Sequence, residues 1–305
     1  MIMRFFISVF ILVFIFFYSN GYSQEKQYKI GCVAFYNVEN LFDTLNTPGV
    51  NDVEFSPEGA KNWNTSKYFS KISKVAEVIS KLGVELTNSP PAVIGLCEVE
   101  NDTVLKDLVK DELIQDINYQ IVHHSGPDRR GIDCALIYNP EIFEVKKSMS
   151  YRLSSIEDFI TRDQLVVNGI FDDEEMTFIV VHYPSRRGGE KRSRPNRAAA
   201  ANLTRHIVDS ILNVDQNAKI IVMGDFNDDP NSPSVEVNLN AKGDKTKLKD
   251  GALFNPMKDL HDKGIGSLAY RDQWNLFDQI ILSPSFISNS NDSYKFYKAF
   301  VFNKP

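Results

Sequence analysis

Four apolar runs along the chain each stop on a polar residue. "YKIGCVAFY" runs into Asn37, "AVIGLC" into Glu98, "MTFIVVH" closes on His182, and "KIIVM" passes Gly224 to reach Asp225 and Asn227. Short, continuous and rich in β-branched residues, these runs predict buried strands. Between them the period changes to that of helices. "NTSKYFSKISKVAEVISKLG" places Phe69, Ile72, Val75, Val78, Ile79 and Leu82 at helical spacing, with Ser66 as N-cap and Gly83 as the stop. "RPNRAAAANLTRHIVDSIL" puts Ala200, Leu203, Ile207 and Ile211 on one face. The shorter "DCALIY" and "QLVVNGI" predict antiparallel neighbours, and "YKAFVF" predicts a further strand near the end. Mixed sheets with helices outside follow. In such architectures ligands bind beyond the strand ends, where these polar residues stand.

The stretch after Gly224 nearly spells a calcium loop. Asp225, Asn227 and Asp229 fall at positions one, three and five of an EF-hand, and Glu236 at position twelve. Position six must turn sharply at φ > 0, and Pro230 stands there with φ locked near −65°. A strand rather than a helix also leads in. The loop therefore ends a strand, and Ser232 with Pro233 starts a helix as N-cap and first-turn proline.

Composition changes the picture at the N-terminus. "MIMRFFISVFILVFIFFYSNGYSQE" has one Arg, an apolar run from Phe5 to Tyr18, and small residues before Gln24. That predicts a signal peptide over residues 1–23, cleaved after Ser23, and an exported protein, periplasmic or secreted. The run is short for a span, which needs about 20 apolar residues; an uncleaved anchor is the competing reading. No stable membrane span is expected after cleavage. Residues 24–305 carry no linker, repeat or low-complexity tract and suit one large domain. Three cysteines, Cys32, Cys97 and Cys134, make an odd count without framework spacing, so buried free thiols are expected. The net charge of −6 becomes −7 when Arg4 leaves with the leader, which argues against nonspecific coating of nucleic acid.

The ordered segments "FYNVENLFD", "IGLCEVEN", "RRGIDCALIY", "VVHYPSR", "IVMGDFNDDP" and "WNLFDQIILS" resemble the endonuclease/exonuclease/phosphatase superfamily, the group of deoxyribonuclease I-like and exonuclease III-like enzymes. They cover most of the mature chain, and the ordered set is more specific than any one piece. The resemblance implies a four-layer α/β/β/α sandwich of two mixed sheets with outer helices. It also implies metal-dependent hydrolysis of phosphate esters.

Glu98 is then the expected ligand of a hard cation, Mg²⁺ or Mn²⁺, with Asn37 as neutral oxygen ligand or positioning amide. The resemblance implies that Asp225 orients or deprotonates the attacking water and that Asn227 donates to the phosphate. Alternation along the loop turns Phe226 to the core, and Asp228 and Asp229 read as solvated turn residues. His182 takes the place of a catalytic histidine, suited to general acid work with a pKa near 6.5. His206 and His261 receive no role, and His123 and His124 read as surface or packing residues. In the run "SRRGGEKRSRPNR", Arg186, Arg187, Lys191, Arg192, Arg194 and Arg197 accompany a single Glu190. A solvated face is the plain reading of such a run. Its place after His182 makes Arg186 and Arg187 candidate phosphate contacts, with Arg130 a third.

One element of the pattern is absent. Asp278 in "WNLFDQIILS" takes the place of the Asp that orients a catalytic histidine, but no Ser-Asp-His segment follows before Pro305. The expectation is a domain truncated at its C-terminal end and impaired in catalysis, since a general acid–base group is worth about 10²–10⁴ in rate. The leading expectation is an exported metal-dependent phosphodiesterase, a nuclease cleaving nucleic acid by in-line water attack. A phosphatase or phospholipase C-like hydrolase of small phosphate esters is the alternative, and a binding protein of the same fold is a third. The substrate is thus nucleic acid or another phosphate ester; no protein partner is inferred, and a monomer is expected.

Overall fold

The computed structural model describes residues 29–249, 251–270, 272–287 and 293–303. The proposed signal peptide lies outside them. The first sheet holds β1 (Val33–Leu41), β2 (Val93–Val99), β3 (Gln120–His123) and β4 (Asp133–Tyr138), in the order β1-β2-β4-β3. The second holds β5 (Phe143–Tyr151), β6 (Gln164–Phe171), β7 (Glu174–His182), β8 (Lys219–Asp225), β9 (Ala241–Lys242) and β10 (Leu253–Phe254). After a small hairpin of β11 (Leu268–Tyr270) and β12 (Gln273–Asn275), β13 (Asp278–Leu282) completes it in the order β5-β6-β7-β8-β13-β10-β9. The pairs β1–β2 and β7–β8 are parallel; β4 and β6 are antiparallel to their neighbours, so both sheets are mixed.

The continuous apolar runs are explained by burial on both faces. In β2, Val93 and Cys97 join the core between the sheets, while Ile94 and Leu96 face the outer helices. In β8, Ile221 and Met223 point inward between the sheets, and Ile220 and Val222 point outward. The outer layers are α1 (Thr65–Lys81) and α2 (Asp102–Val109) on the first sheet, and α3 (Glu190–Val214) on the second. A short α4 (Met257–Asp262) packs beside β13. This is the four-layer α/β/β/α sandwich. Residues Gly31–Pro305 form one unit, and no helix among the described residues is long and apolar enough to cross a membrane.

Several local expectations shift. In α1 the cap is Asn64, whose side chain accepts the Lys67 N–H, rather than Ser66. The buried face runs through Tyr68, Ile72, Val75, Ala76 and Ile79, and Phe69 is 52% exposed. Tyr68 wins the inward position because its ring packs in the core while its hydroxyl reaches Asp107 at 2.7 Å. Gly83 does end the helix, at φ 69°. Ser232 and Pro233 lead into a single wide helical turn, Ser234–Asn238, with Pro233 at its cap position. "YKAFVF" is not a strand. Its apolar residues dock singly: Phe302 joins the helix-side core while Tyr297 stays 72% exposed, so no ladder forms. Among the described residues Cys32, Cys97 and Cys134 are free thiols, the last two buried.

Candidate active site

Two bulges build the first half of the site. The β1–β2 register breaks between Asn37 and Leu41, and the β2–β4 register breaks between Cys97 and Val99. Glu98 sits in the second break at φ 64°. A left-handed non-glycine residue costs about 1–2 kcal/mol, and a bulge is the device that re-aims such a side chain. Asn37 accepts the Glu39 N–H through Oδ1 and donates through Nδ2 to Asp225 Oδ2 at 3.1 Å.

Three adjacent strands of the other sheet supply the second half. His182 lies beside Asp225 in the β7–β8 register, and Asp278 lies beside Asp225 in the β8–β13 register. His182 Nε2 is 3.6 Å from Asp225 Oδ2 and 3.8 Å from Glu98 Oε1. Asp225 Oδ1 accepts the Asn227 N–H at 2.8 Å, a tight turn that holds Asn227 at φ 48°. The Asn227 amide donates to Tyr183 O at 3.0 Å, and Phe226 is buried in the outer core, as alternation requires. Asn37, Glu98, His182, Asp225, Asn227 and Asp278 therefore meet at one end of the sandwich.

Charge in this cluster is unbalanced. Burial first, then Glu98, raises the Asp225 carboxyl above the ordinary range; burial and then Asp225, with Glu39 and Glu98 adding, raises Asp278. His182 goes the other way. Burial, then the Arg162 and Arg130 guanidiniums, holds it well below 6.5, and burial prevails over the carboxylates near Nε2. The imidazole therefore favours its neutral form in the metal-free fold. Its buried Nδ1 has no hydrogen-bond partner among the described residues.

The donor set fits a hard divalent cation. Glu98, Asp225, Asp278 and Asn37 offer oxygen atoms, and the charge of Glu98 disfavours ionisation of Asp225 and Asp278. Among the described residues no three His, Cys, Asp or Glu side chains form a ready cage. An ion held by one or two protein oxygens, with water and substrate completing the shell, suits that arrangement.

The basic residues are placed less simply than their spacing implies. Arg130 is partly exposed, 3.6 Å from Asp128, and its charge reaches His182. Arg187 is exposed and stands outside the hydrogen-bonded network among the described residues. Arg186 is instead consumed internally, by Asn227 O, Asp228 and Asp229. Arg197 is 0% exposed in α3 and pairs with Asp228 at 2.7 Å. Asp228, expected to be solvated, is only 3% exposed, because Arg197, Arg186 and Ser234 all converge on it.

Two positive groups near the site escaped notice in the sequence. Arg162 is buried, donates to Tyr183 O at 2.7 Å, pairs with Asp128 at 3.5 Å, and bears on both His182 and Asp225. Lys71 on α1 donates to Glu39 O at 3.0 Å and is drawn by the charge of Glu98.

Solved structures share this fold. Truncated Caenorhabditis elegans TDP2 is similar with a TM-score of 0.50 at 18% identity, covering 72% of this chain and 78% of that one. TDP2 of D. rerio, complexed with single strand DNA product, reaches 0.50 at 14% identity and 85% of both chains. A Bacteroides thetaiotaomicron mannosyl-6-phosphatase reaches 0.52 at 18% identity, covering 83% of this chain and 85% of that one. No curated protein sequence matches the chain. A family model described as Endonuclease/Exonuclease/phosphatase matches residues 32–305, nearly the whole described fold, and the chain belongs to that family of phosphate-ester hydrolases.

Proposed function

We propose that this chain hydrolyses a phosphate ester with a divalent cation, Mg²⁺ or Mn²⁺, held by Glu98 and Asn37. The observation that carries the reading is the convergence of Glu98, Asp225 and Asp278 with His182 and Asn227. When bound, the cation polarises the phosphoryl oxygen and steadies the leaving oxygen. Asp225 orients the attacking water and takes its proton; burial and the charge of Glu98 make it a stronger base than an exposed aspartate. Asp278, opposite on β13, keeps a second proton acceptor beside it. Asn227 retains one amide N–H beyond its bond to Tyr183, available to a phosphate oxygen. His182 donates a hydrogen bond as a neutral imidazole, and Arg130 meets the substrate's negative charge. Within the described cluster, Asp225 and Asp278 are the groups placed to take the proton of the attacking water.

A nuclease remains one form of this reading. A specific observation favours the other form, a small phosphate ester. Arg197 is buried and Arg186 is consumed, while Arg194, though exposed, pairs with Glu190; among the described residues that leaves Arg187, Lys191 and Arg192 exposed outside such pairs in the basic run. The leader-like residues 1–23 motivate a further proposal, action outside the cytoplasm.

Initial rates with Mg²⁺, Mn²⁺ or EDTA test the reading on bis(p-nitrophenyl) phosphate, p-nitrophenyl phosphate and a labelled DNA single strand. Turnover of at least one probe, abolished by EDTA and accompanied by a metal-dependent rise in Tm, is expected. No turnover with either metal overturns it. A steep fall of DNA cleavage with salt selects the nuclease form, and a flat profile the small ester.

A further inference from the structure

We infer that Arg186 is a positioning residue that locks the Asn227 loop and the approach to Asp278 into one unit. The inference rests on the reading of Asp225, Asn227 and Asp278 as the site of phosphoester hydrolysis. It replaces the substrate contact expected for this arginine.

Every part of the guanidinium is engaged. Nε donates to Asn227 O at 3.0 Å, and Nη2 reaches Asp228 Oδ1 at 3.1 Å and Asp229 Oδ2 at 3.3 Å. Nη1 lies 3.8 Å from Glu190 Oε2, and the guanidinium carbon sits 4.5 Å from the centre of the Phe277 ring. The two aspartates carry the hold onward. Asp228 Oδ2 accepts from Ser234 at 2.6 Å and lies 2.7 Å from Arg197 Nε, and its carbonyl accepts from Gln279 Nε2 at 2.7 Å. Asp229 Oδ1 accepts the Leu276 N–H at 2.8 Å, and Phe277 O accepts the Phe226 N–H at 2.8 Å. Leu276, Phe277 and Gln279 flank Asp278, while Arg186 itself follows His182 by four residues. One side chain thus joins the segments that present His182, Asn227 and Asp278.

A planar fork is needed for this. Only Arg can meet a carbonyl, two carboxylates and a ring face at once; Lys offers a point charge. Ionic networks of this kind are weak evidence for stability, because apolar replacements are often neutral or stabilising. Placed against three segments of one site, the network fixes geometry.

The test uses the full 305-residue chain with Mg²⁺ and bis(p-nitrophenyl) phosphate, comparing wild type with Arg186→Lys and Arg186→Ala. Misplacement on the order of 1 Å can cost about 10²-fold, so kcat should fall by about that factor in both variants while KM changes by less than about threefold. Free guanidinium should restore part of the Arg186→Ala rate where equal NaCl does not. The amide resonances of Asn227 and Leu276 should shift in the metal-free variants. A raised KM with kcat retained makes Arg186 a substrate contact and overturns the inference, with the site reading intact. A lower Tm with kcat retained also overturns it, because the role is then structural only. An inactive wild type removes the site reading first, and the inference falls with it.

Discussion

At the scale of single residues, Glu98 concentrates two costs that folding alone does not require. Its backbone is left-handed, and its charge raises the pKa of both Asp225 and Asp278. Strain and like-charge crowding of this kind persist only where the surrounding structure over-determines them. Replacing the carboxylate should therefore relieve the metal-free protein rather than harm it. Glu98→Gln is expected to lose metal-dependent turnover and the metal-dependent rise in Tm, while its Tm in EDTA equals or exceeds that of wild type. Calorimetry with and without Mg²⁺ checks this, and a lower Tm in EDTA would give Glu98 a structural role. His182 makes a related point. Its type and position are legible in the sequence, but its protonation is not, because burial and Arg162 come from folding.

At the scale of elements, two glycines show how closely the site strands are drawn together. A Cβ on Gly224 would stand 2.0 Å from Val181 O, a backbone atom of the paired strand. A Cβ on Gly95 would meet Met223 Sδ at 2.6 Å, the end of a flexible side chain between the sheets. Overpacking costs about 1–3 kcal/mol, occasionally more; Gly224→Ala belongs at or above the top of that range and Gly95→Ala near the bottom. Urea unfolding of both variants measures the order, and Gly224→Ala should also lose activity because Asp225 follows it directly. Equal losses would contradict this account of the β7–β8 contact. The strands themselves are legible from their apolar runs, and the four polar residues at their ends converge in the fold. What escaped notice has a topological cause. An antiparallel strand brings its beginning to the end where its neighbour finishes, so Arg162, just before β6, joins His182 at the end of β7. Attention to strand ends alone finds Asp225 and overlooks Arg162. The burial of Asp228 is hidden from the sequence for a different reason: adjacent acids before a proline look like a solvated turn, and the buried Arg197 that claims one of them stands 31 positions upstream in α3.

At the scale of the whole molecule, one end of the sandwich gathers acid groups whose pKa values burial raises. Asp278 is pushed up to about 7 by burial and by Asp225, and Glu100 to about 7 chiefly by burial. Each binds more protons folded than unfolded between its ordinary carboxylate range and its raised value, so each withdraws stability as pH rises through that window. His182 acts oppositely, since the unfolded imidazole protonates below about 6.5 and the buried one does not; it adds stability on approach to that pH and nothing further above it. His123, held by Asp102 and Asp133 despite burial, is raised, and its contribution is lost as pH climbs through that raised value. Above about pH 6.5, therefore, no group in this set gains and several lose. In EDTA the Tm should fall from pH 6.5 to 8, and a His123→Gln variant should retain the part of the slope that belongs to the carboxylates. A cation binding the ionised site favours the folded, deprotonated form, so saturating Mg²⁺ should flatten that remaining slope. Tm measured across this range, with and without metal, decides the point: a slope in His123→Gln that Mg²⁺ leaves unchanged would place the titrating acids away from the cation, and a flat EDTA profile would mean the carboxylates are already ionised and balanced.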